Sequence, residues 1–378
     1  MGTLKQQNIN RAVVRGTNWV GDAVMTLPAL RELRRLLPRA HITLATRPWA
    51  KELFADADCI DDLLIYDRRG AWSAVKQTSE WRRGRFDLAV IFPNSFEAAL
   101  IPSLARVPFR IGYATDGRTR LLTNPLPVPE WRSSRHEVFY YLNIIAELER
   151  AIVGAEQIVD RPPDTSLHIS ERRQSEALDL LRAHGLREGH AVVAVCPGSI
   201  NSRAKRWPAE RYSVLADILM DELEAEVLLI GSPEELDVSL EVSRRMHHKP
   251  ILLTGKTSLA QLAAVLSLVD LLVTNDTGPA HIASGLERPT LVIFGPTNPL
   301  TTGPFSAIAE IVRQPPDCAP CMLRDCPIDH RCMTAISPQD VFQRARSLLG
   351  IDLGSTRDAT LRPRPDQLKV SASSAKLN

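Results

Sequence analysis

The chain has 378 residues, more than a single hydrophobic core ordinarily supports, and its 44% hydrophobic and 24% charged residues are a globular composition, so two domains are expected. A formal net charge of +2 argues against a nucleic-acid partner, and no apolar run reaches the length of about 18 residues that a membrane-spanning helix needs. The N-terminus lacks the apolar stretch of a secretory signal, and Gln6 stands where a myristoylation signal wants Ser or Thr, so a cytoplasmic location is expected.

In chain order, the first half alternates short runs that are apolar on both faces with helical patterns. Strands are expected at Arg11 to Arg15, His41 to Thr46, Leu63 to Tyr66 and Asp87 to Phe92. Such runs suit parallel strands covered by helices. Between the first two, Leu27, Leu30, Leu33 and Leu37 form one face of a helix. Pro28 requires a kink or a helix start close to it. The stretch "NPLPVPEW" at 124–131 reads as extended, and the helical "HEVFYYLNIIAELER" follows. The sequence "DRPPDTSLHIS" at 160–170, with adjacent prolines and no periodicity, reads as a linker.

The second half repeats the alternation. Strands are expected at 191–196, 226–231, 251–254, 270–274 and 290–295, with helices such as "ERYSVLADILMDEL" and "LAQLAAVLSLV" between them. The expectation is therefore an α/β protein of two doubly wound parallel domains, 1–165 and 166–354, facing across a cleft, with a disordered tail at 355–378. Residues 1–165 hold 23 basic against 19 acidic side chains, and the remainder 23 against 25. A mildly basic first half fits an acidic partner, a membrane surface or an ordinary solvated surface.

Chemistry-bearing residues gather where strands hand over to helices. In "TNWVGDAVMTLPAL" (17–30), Asp22 follows a glycine at such a junction and is either a helix-start carboxylate or a group facing a ligand. In "CPGSINSRAKRWP", Gly198 permits a tight turn, Ser199 and Ser202 offer hydrogen bonds, and Lys205 and Arg206 bring charge before a helix start at Trp207-Pro208. That combination is either an anion site or a plain loop. In "TNDTGPAHIAS", Asp276 and Thr277 occupy cap positions, Gly278 and Pro279 open a helix, and His281 lies about one turn inside it. Amides of Thr277 and Gly278 would suit phosphate, whereas Asp276 alone fits a simple cap and His281 alone a packed side chain. In "GSPEE" (231–235), Glu234 or Glu235 is placed to take ribose hydroxyls, or to serve as a first-turn acid. The "GKTS" at 255–258 lacks the upstream glycine of a P-loop.

The motifs "TNWVGDAVMTLPAL", "PGSINSRAKRWP", "NDTGPAHIAS" and "IFGPTNP", in that order, resemble the ADP-heptose:lipopolysaccharide heptosyltransferases (glycosyltransferase family 9), most of all their heptosyltransferase II branch. The similarity runs from about Arg11 to Leu349. It implies a GT-B fold with the acceptor on the N-terminal domain and the nucleotide-sugar on the C-terminal one. It implies an inverting, metal-independent transfer of heptose from ADP-heptose to the lipid A-core acceptor, with no cofactor. Asp22 then corresponds to the general base and Lys205 to the diphosphate-contacting lysine. Ser199, Glu235, Asp276, Thr277, Gly278 and His281 fall to the donor site. Alternatives are a related member with another nucleotide-sugar donor or surface-glycan acceptor, or a non-catalytic nucleotide-binding protein. A lipid-linked acceptor places the enzyme peripherally on the inner face of the inner membrane. The stretch Arg68, Arg69, Lys76, Arg82, Arg83 and Arg85 with Trp72 and Trp81 is a candidate contact, or a solvated helix face.

Cys318, Cys321, Cys326 and Cys332 have the spacing C-x2-C-x4-C-x5-C around His330. The spacing is compatible with a structural zinc or iron–sulfur site, with reduced thiols, or with disulfides, and gives no reason for a catalytic metal.

Overall fold

The computed structural model describes residues 9–350 apart from 55, 68–69, 155–157 and 159–160. The tail expected at 355–378, Arg68, Arg69 and the side chain of Trp72 lie outside the described residues.

Two six-stranded parallel sheets organise the chain. The first contains β1 (Arg11–Arg15), β2 (His41–Thr46), β3 (Asp62–Ile65), β4 (Leu88–Ile91), β5 (Phe109–Tyr113) and β6 (Asn124–Leu126), in the order β3-β2-β1-β4-β5-β6. The second contains β7 (Val192–Cys196), β8 (Glu226–Leu229), β9 (Ile251–Leu252), β10 (Leu271–Asn275), β11 (Thr290–Phe294) and β12 (Ala309–Arg313), in the order β12-β11-β10-β7-β8-β9. Counted from its own first strand, the second sheet repeats the order of the first. In each, the direction of winding reverses beside the first strand, between β1 and β4 and between β7 and β10. Ligands of doubly wound sheets bind outside the carboxyl ends of the strands at that reversal. The expected α/β architecture of two facing Rossmann-like sheets is thus met.

Three strands escape the sequence reading, and two of them are sheet edges. β6 carries Pro125, which has no N–H to donate and is tolerated because the strand has one neighbour only. β12, "AEIVR", is an edge of the second sheet and is half-polar. β5 interrupts its apolar run with Arg110 and Gly112. Pro28 does not kink a continuous helix: one helix spans Val20–Met25, Thr26 breaks it, and Leu27–Leu36 begins anew with the proline in its first turn, where the missing N–H has no intrahelical partner to lose.

The largest apolar cluster is continuous between the halves, running from Val14 and Leu30 to Leu262, Ile282 and Ala283. A second, with Trp207, Tyr212 and Leu215, fills the other face of the second sheet. On the outer face of the first sheet Trp81 is fully buried, edge-on to Phe86 with ring centroids 6.0 Å apart. It belongs to the core and is unavailable to a membrane, which removes it from the proposed basic–aromatic surface.

Polar bonds tie the halves together. Arg31 donates to the carbonyls of Asp164 (2.6 Å) and Ser166 (2.7 Å) in the connecting segment. Arg173 pairs with Asp56 at 2.6 Å. The helices Val20–Met25 and Gly278–Gly285, one from each half, pack directly against each other.

Candidate active site

Asp22 lies in the first turn of the helix after β1, where Trp19 and not Asp22 holds the cap position. It lines a cavity of about 320 Å³ together with Thr17, Trp19, Asn94, Arg132, Glu137 and other residues. Asn94 follows β4, so the cavity occupies the winding reversal of the first sheet. Burial pushes the Asp22 carboxyl up to about 7, and the nearby Glu137 carboxylate adds to the rise; Arg132 and Lys205 oppose it, and Asp276 adds a smaller rise. A simple helix cap, stabilised as an anion by amides, would be shifted the other way. The group is therefore a carboxylate that takes a proton readily near neutral pH.

Glu137 opens the long helix Glu137–Val153 and is gripped at both oxygens by Arg132: Nη2 donates to Oε1 at 2.9 Å, and Nη1 approaches Oε2 to 2.5 Å. The Arg132 guanidinium lies 4.1 Å from the centroid of the Tyr140 ring, a cation–π contact that fixes its plane. Burial raises the pKa of Glu137 while Arg132 opposes the rise.

On the second sheet, Lys205 Nζ donates to Asp276 Oδ2 at 2.7 Å, and Thr297 Oγ1 donates to the same oxygen at 2.7 Å. Asp276 is thus not a cap; Thr277 takes that position ahead of Gly278–Gly285, and Asp276 positions the lysine. Asn275, at the end of β10, joins this loop to the one after β7. Its Nδ2 donates to the carbonyls of Pro197 (2.9 Å) and Gly198 (3.0 Å), while its Oδ1 accepts from the Trp207 amide and the Tyr212 hydroxyl, both at 3.0 Å. Ser199 is buried, and its carbonyl accepts two bonds from Arg206, so Arg206 braces the turn instead of facing the cleft. Ser202 is likewise turned away, donating to the carbonyls of Leu323 and Arg324.

Glu235 is buried, and its Oε2 accepts from the Ser232 amide at 2.8 Å. Its other oxygen lies so close under Gly198 that a Cβ built there would stand 2.3 Å from it. Any larger residue at this position would force Glu235 to move. Glu234 is exposed, which separates the two candidates: Glu235 is the one turned toward the loop after β7.

His281 is buried, and desolvation lowers its pKa to about 4, so it is neutral at neutral pH; Asp276 favours its charged form, His136 and Lys205 oppose it. Its ring packs against Gly21 of the first half, and Gly278 packs against Val20. The two glycines let the helix starts of both halves meet at contact distance, bringing Asp22, Lys205, Asp276 and His281 to one seam.

Two features were missed from sequence. Asn275 has no role assigned by its local sequence; its one signal is an amide side chain closing a buried strand. Glu137 sits in the segment expected only as a helix, Arg132 in the short stretch between that helix and the extended run at 124–131, and nothing local marks either. The cysteines are all free thiols, with Cys332 buried and Cys318 exposed. Among the described residues no group of three or more His, Cys, Asp or Glu side chains is placed to hold a metal ion. The cysteine segment instead braces the loop bearing Lys205: Arg324 accepts from the Ala204 amide at 2.9 Å, and His330 Nε2 bonds the Ala204 carbonyl at 2.6 Å.

Residues 75–331 match the profile of glycosyltransferase family 9 (heptosyltransferase). The chain is 28% identical over 357 residues to lipopolysaccharide heptosyltransferase 2 of Escherichia coli, covering 90% of this chain and 98% of that protein. It is 27% identical over 315 residues to lipooligosaccharide heptosyltransferase 2 of Haemophilus ducreyi, covering 80% and 88%. The crystal structure of the Escherichia coli ADP-heptose lipopolysaccharide heptosyltransferase II superposes with a TM-score of 0.76 at 27% identity, covering 90% of this chain and 98% of that one. A family 9 glycosyltransferase from Veillonella parvula shares the fold at a TM-score of 0.79 and 24% identity, covering 93% and 100%. With its profile match, its two facing parallel sheets and its polar residues at both winding reversals, the chain belongs to glycosyltransferase family 9 and is a glycosyltransferase enzyme.

Proposed function

We propose that this enzyme transfers heptose from ADP-heptose onto the inner core of lipopolysaccharide, in the manner named for its heptosyltransferase 2 relatives, by an inverting and metal-independent displacement. The observation that carries the reading is Asp22, a carboxylate poised near neutrality, at the seam that also holds Lys205. In this reading the acceptor occupies the cavity beside Asp22, and the donor lies along β7 and β10. The acceptor hydroxyl oxygen attacks the anomeric carbon from the face opposite the diphosphate. As the new C–O bond forms, the bond to the ADP oxygen breaks, and its electron pair leaves with ADP. Asp22 takes the hydroxyl proton. ADP departs as an anion and needs charge balance more than a proton. Lys205, held by Asp276, and the start of the helix Gly278–Gly285 supply it. Glu235 takes the ribose hydroxyls, with Ser199 beside it; Asp276, Thr277, Gly278 and His281 frame the transferred sugar and diphosphate.

Among the described residues no helix is long and apolar enough to cross a membrane. With a lipid-linked acceptor, the enzyme works at the inner face of the inner membrane by surface contact, through exposed Lys76, Arg82, Arg83 and Arg85 on the first half. The test is turnover with ADP-heptose and heptose-deficient lipopolysaccharide, with the anomeric configuration of the product read by NMR. No transfer, or transfer with retention, overturns the corresponding part of the reading.

A further inference from the structure

Three features of the cavity beside Asp22 take no part in the transfer chemistry. Trp19, the largest side chain type, is 56% exposed at its wall, so much of the indole stands open. Thr17 is only 5% exposed, lines the same cavity, and its hydroxyl has no hydrogen-bond partner among the described residues. A buried hydroxyl without a partner is uncommon in a folded protein and calls for an explanation. Third, the lining contains one cation, Arg132, and both of its outer nitrogens contact the Glu137 carboxylate, which balances its charge.

These features select a ligand class. An exposed indole offers a flat apolar face, which the C–H face of a sugar ring covers well, while the ring hydroxyls point outward to polar groups. The Thr17 hydroxyl both donates and accepts, the same capacity as a sugar hydroxyl. The charge balance argues against an anionic group here. With Arg132 neutralised by Glu137, Asp22 is the carboxylate of the lining without a salt-bridge partner among the described residues, and Lys205, which acts on Asp22 from across the seam, is paired with Asp276. A phosphate or carboxylate brought in would meet acidic oxygens with no free cation to balance them.

We propose that the cavity is a subsite for a neutral sugar residue of the acceptor, which stacks on Trp19, hydrogen-bonds Thr17, and is rejected when that residue carries a phosphate. This inference rests on the proposed transfer reaction and narrows its acceptor. Trp19 is the specificity-determining residue, and the Arg132–Glu137 pair supplies the discrimination against charge.

The test uses the full chain and a delipidated inner-core oligosaccharide ending in an unphosphorylated heptose, alongside the same oligosaccharide phosphorylated on that heptose. Binding is read by saturation-transfer NMR, and turnover with ADP-heptose is read separately. The expected result is that Trp19→Ala weakens binding of the neutral oligosaccharide tenfold or more and Trp19→Phe recovers most of the loss. The phosphorylated form should bind the wild type at least tenfold more weakly. ADP affinity and melting temperature should be unchanged in both variants, since Trp19 is exposed. Equal binding by Trp19→Ala, equal or tighter binding of the phosphorylated form, or no binding of the neutral form to the wild type overturns the subsite. Binding with the expected preferences but no transfer overturns the proposed reaction and leaves the subsite standing.

Discussion

A Cβ built on Gly21 would stand 2.8 Å from Cδ2 of His281, a residue of the other half of the chain. The reciprocal contact is as close: a Cβ on Gly278 would stand 2.8 Å from Cβ of Val20. Two helix starts, one following β1 and the other following β10, therefore meet through glycines, and Asp22 is carried to the donor-side residues by that contact.

Gly21→Ala should push the helix starts apart. Turnover is expected to fall tenfold or more, because small misplacements at reacting centres are amplified in rate. ADP affinity should stay within about twofold, because Lys205, Asp276 and Glu235 all belong to the second sheet. Steady-state kinetics beside an ADP titration decide this; unchanged turnover would mean that the seam tolerates displacement.

Asp22→Asn keeps the side chain's size and removes its basicity. Turnover should drop roughly 100- to 10,000-fold, the usual worth of a positioned base. In the wild type, turnover should rise with pH through about 7 as the Asp22 carboxyl gives up its proton. That rise should vanish in the variant. A pH profile that keeps its acidic limb without Asp22 assigns the base elsewhere.

The same residue predicts a stability effect of definite sign. Asp22 has a pKa near 7 in the folded chain against an ordinary 3.8, so between those values the native state holds a proton that the unfolded state has lost. Stability falls as pH rises through this window, by about 4 kcal/mol at most. Asp22→Asn escapes the penalty and should melt a few degrees higher than wild type at pH 8, with the difference closing below pH 4. Equal melting at pH 8 would mean that Asp22 is not desolvated.

Lys205→Ala should weaken ADP binding and slow turnover together, because the lysine meets the diphosphate in both ground and transition states. Asp276→Asn should reproduce part of this loss, since it frees Lys205 from a 2.7 Å bond. The double variant should be little worse than Lys205→Ala alone, as expected for residues acting through one another. Calorimetry and kinetics on the four forms test it; additive losses would separate the two roles.

Turnover should survive EDTA, because Lys205 and the helix start balance the leaving charge. Metal content is measured first, since the cysteine segment braces the Lys205 loop. Activity lost together with melting temperature points to a structural ion at the cysteines. Activity lost at constant melting temperature and restored by magnesium would show that departure of ADP depends on a metal.

Much of this molecule is legible in its sequence. The buried parallel strands announce themselves because both faces are covered: β1, β2, β7, β10 and β11 are mostly apolar and almost wholly buried, and their ends point to Asp22, Ser199 and Asp276. Local chemistry also marks Lys205 beside a turn and helix start, and Pro28 at a helix start. Two of the four edge strands, β6 and β12, stay hidden, since with one open side a strand needs no apolar run; β6 even accommodates Pro125. What only the tertiary structure decides is which polar groups face one another. Glu235 is set apart from Glu234 by the glycine above it, Asp276 becomes the partner of Lys205 instead of a cap, and Trp81 goes to the core while Trp19 stays exposed. Glu137 and Arg132, more than 100 positions beyond Asp22, enter the site through the packing of a distant helix. Periodicity records how much of each face is buried, but burial alone does not say against what, and the charge and proton affinity of Asp22 depend on that.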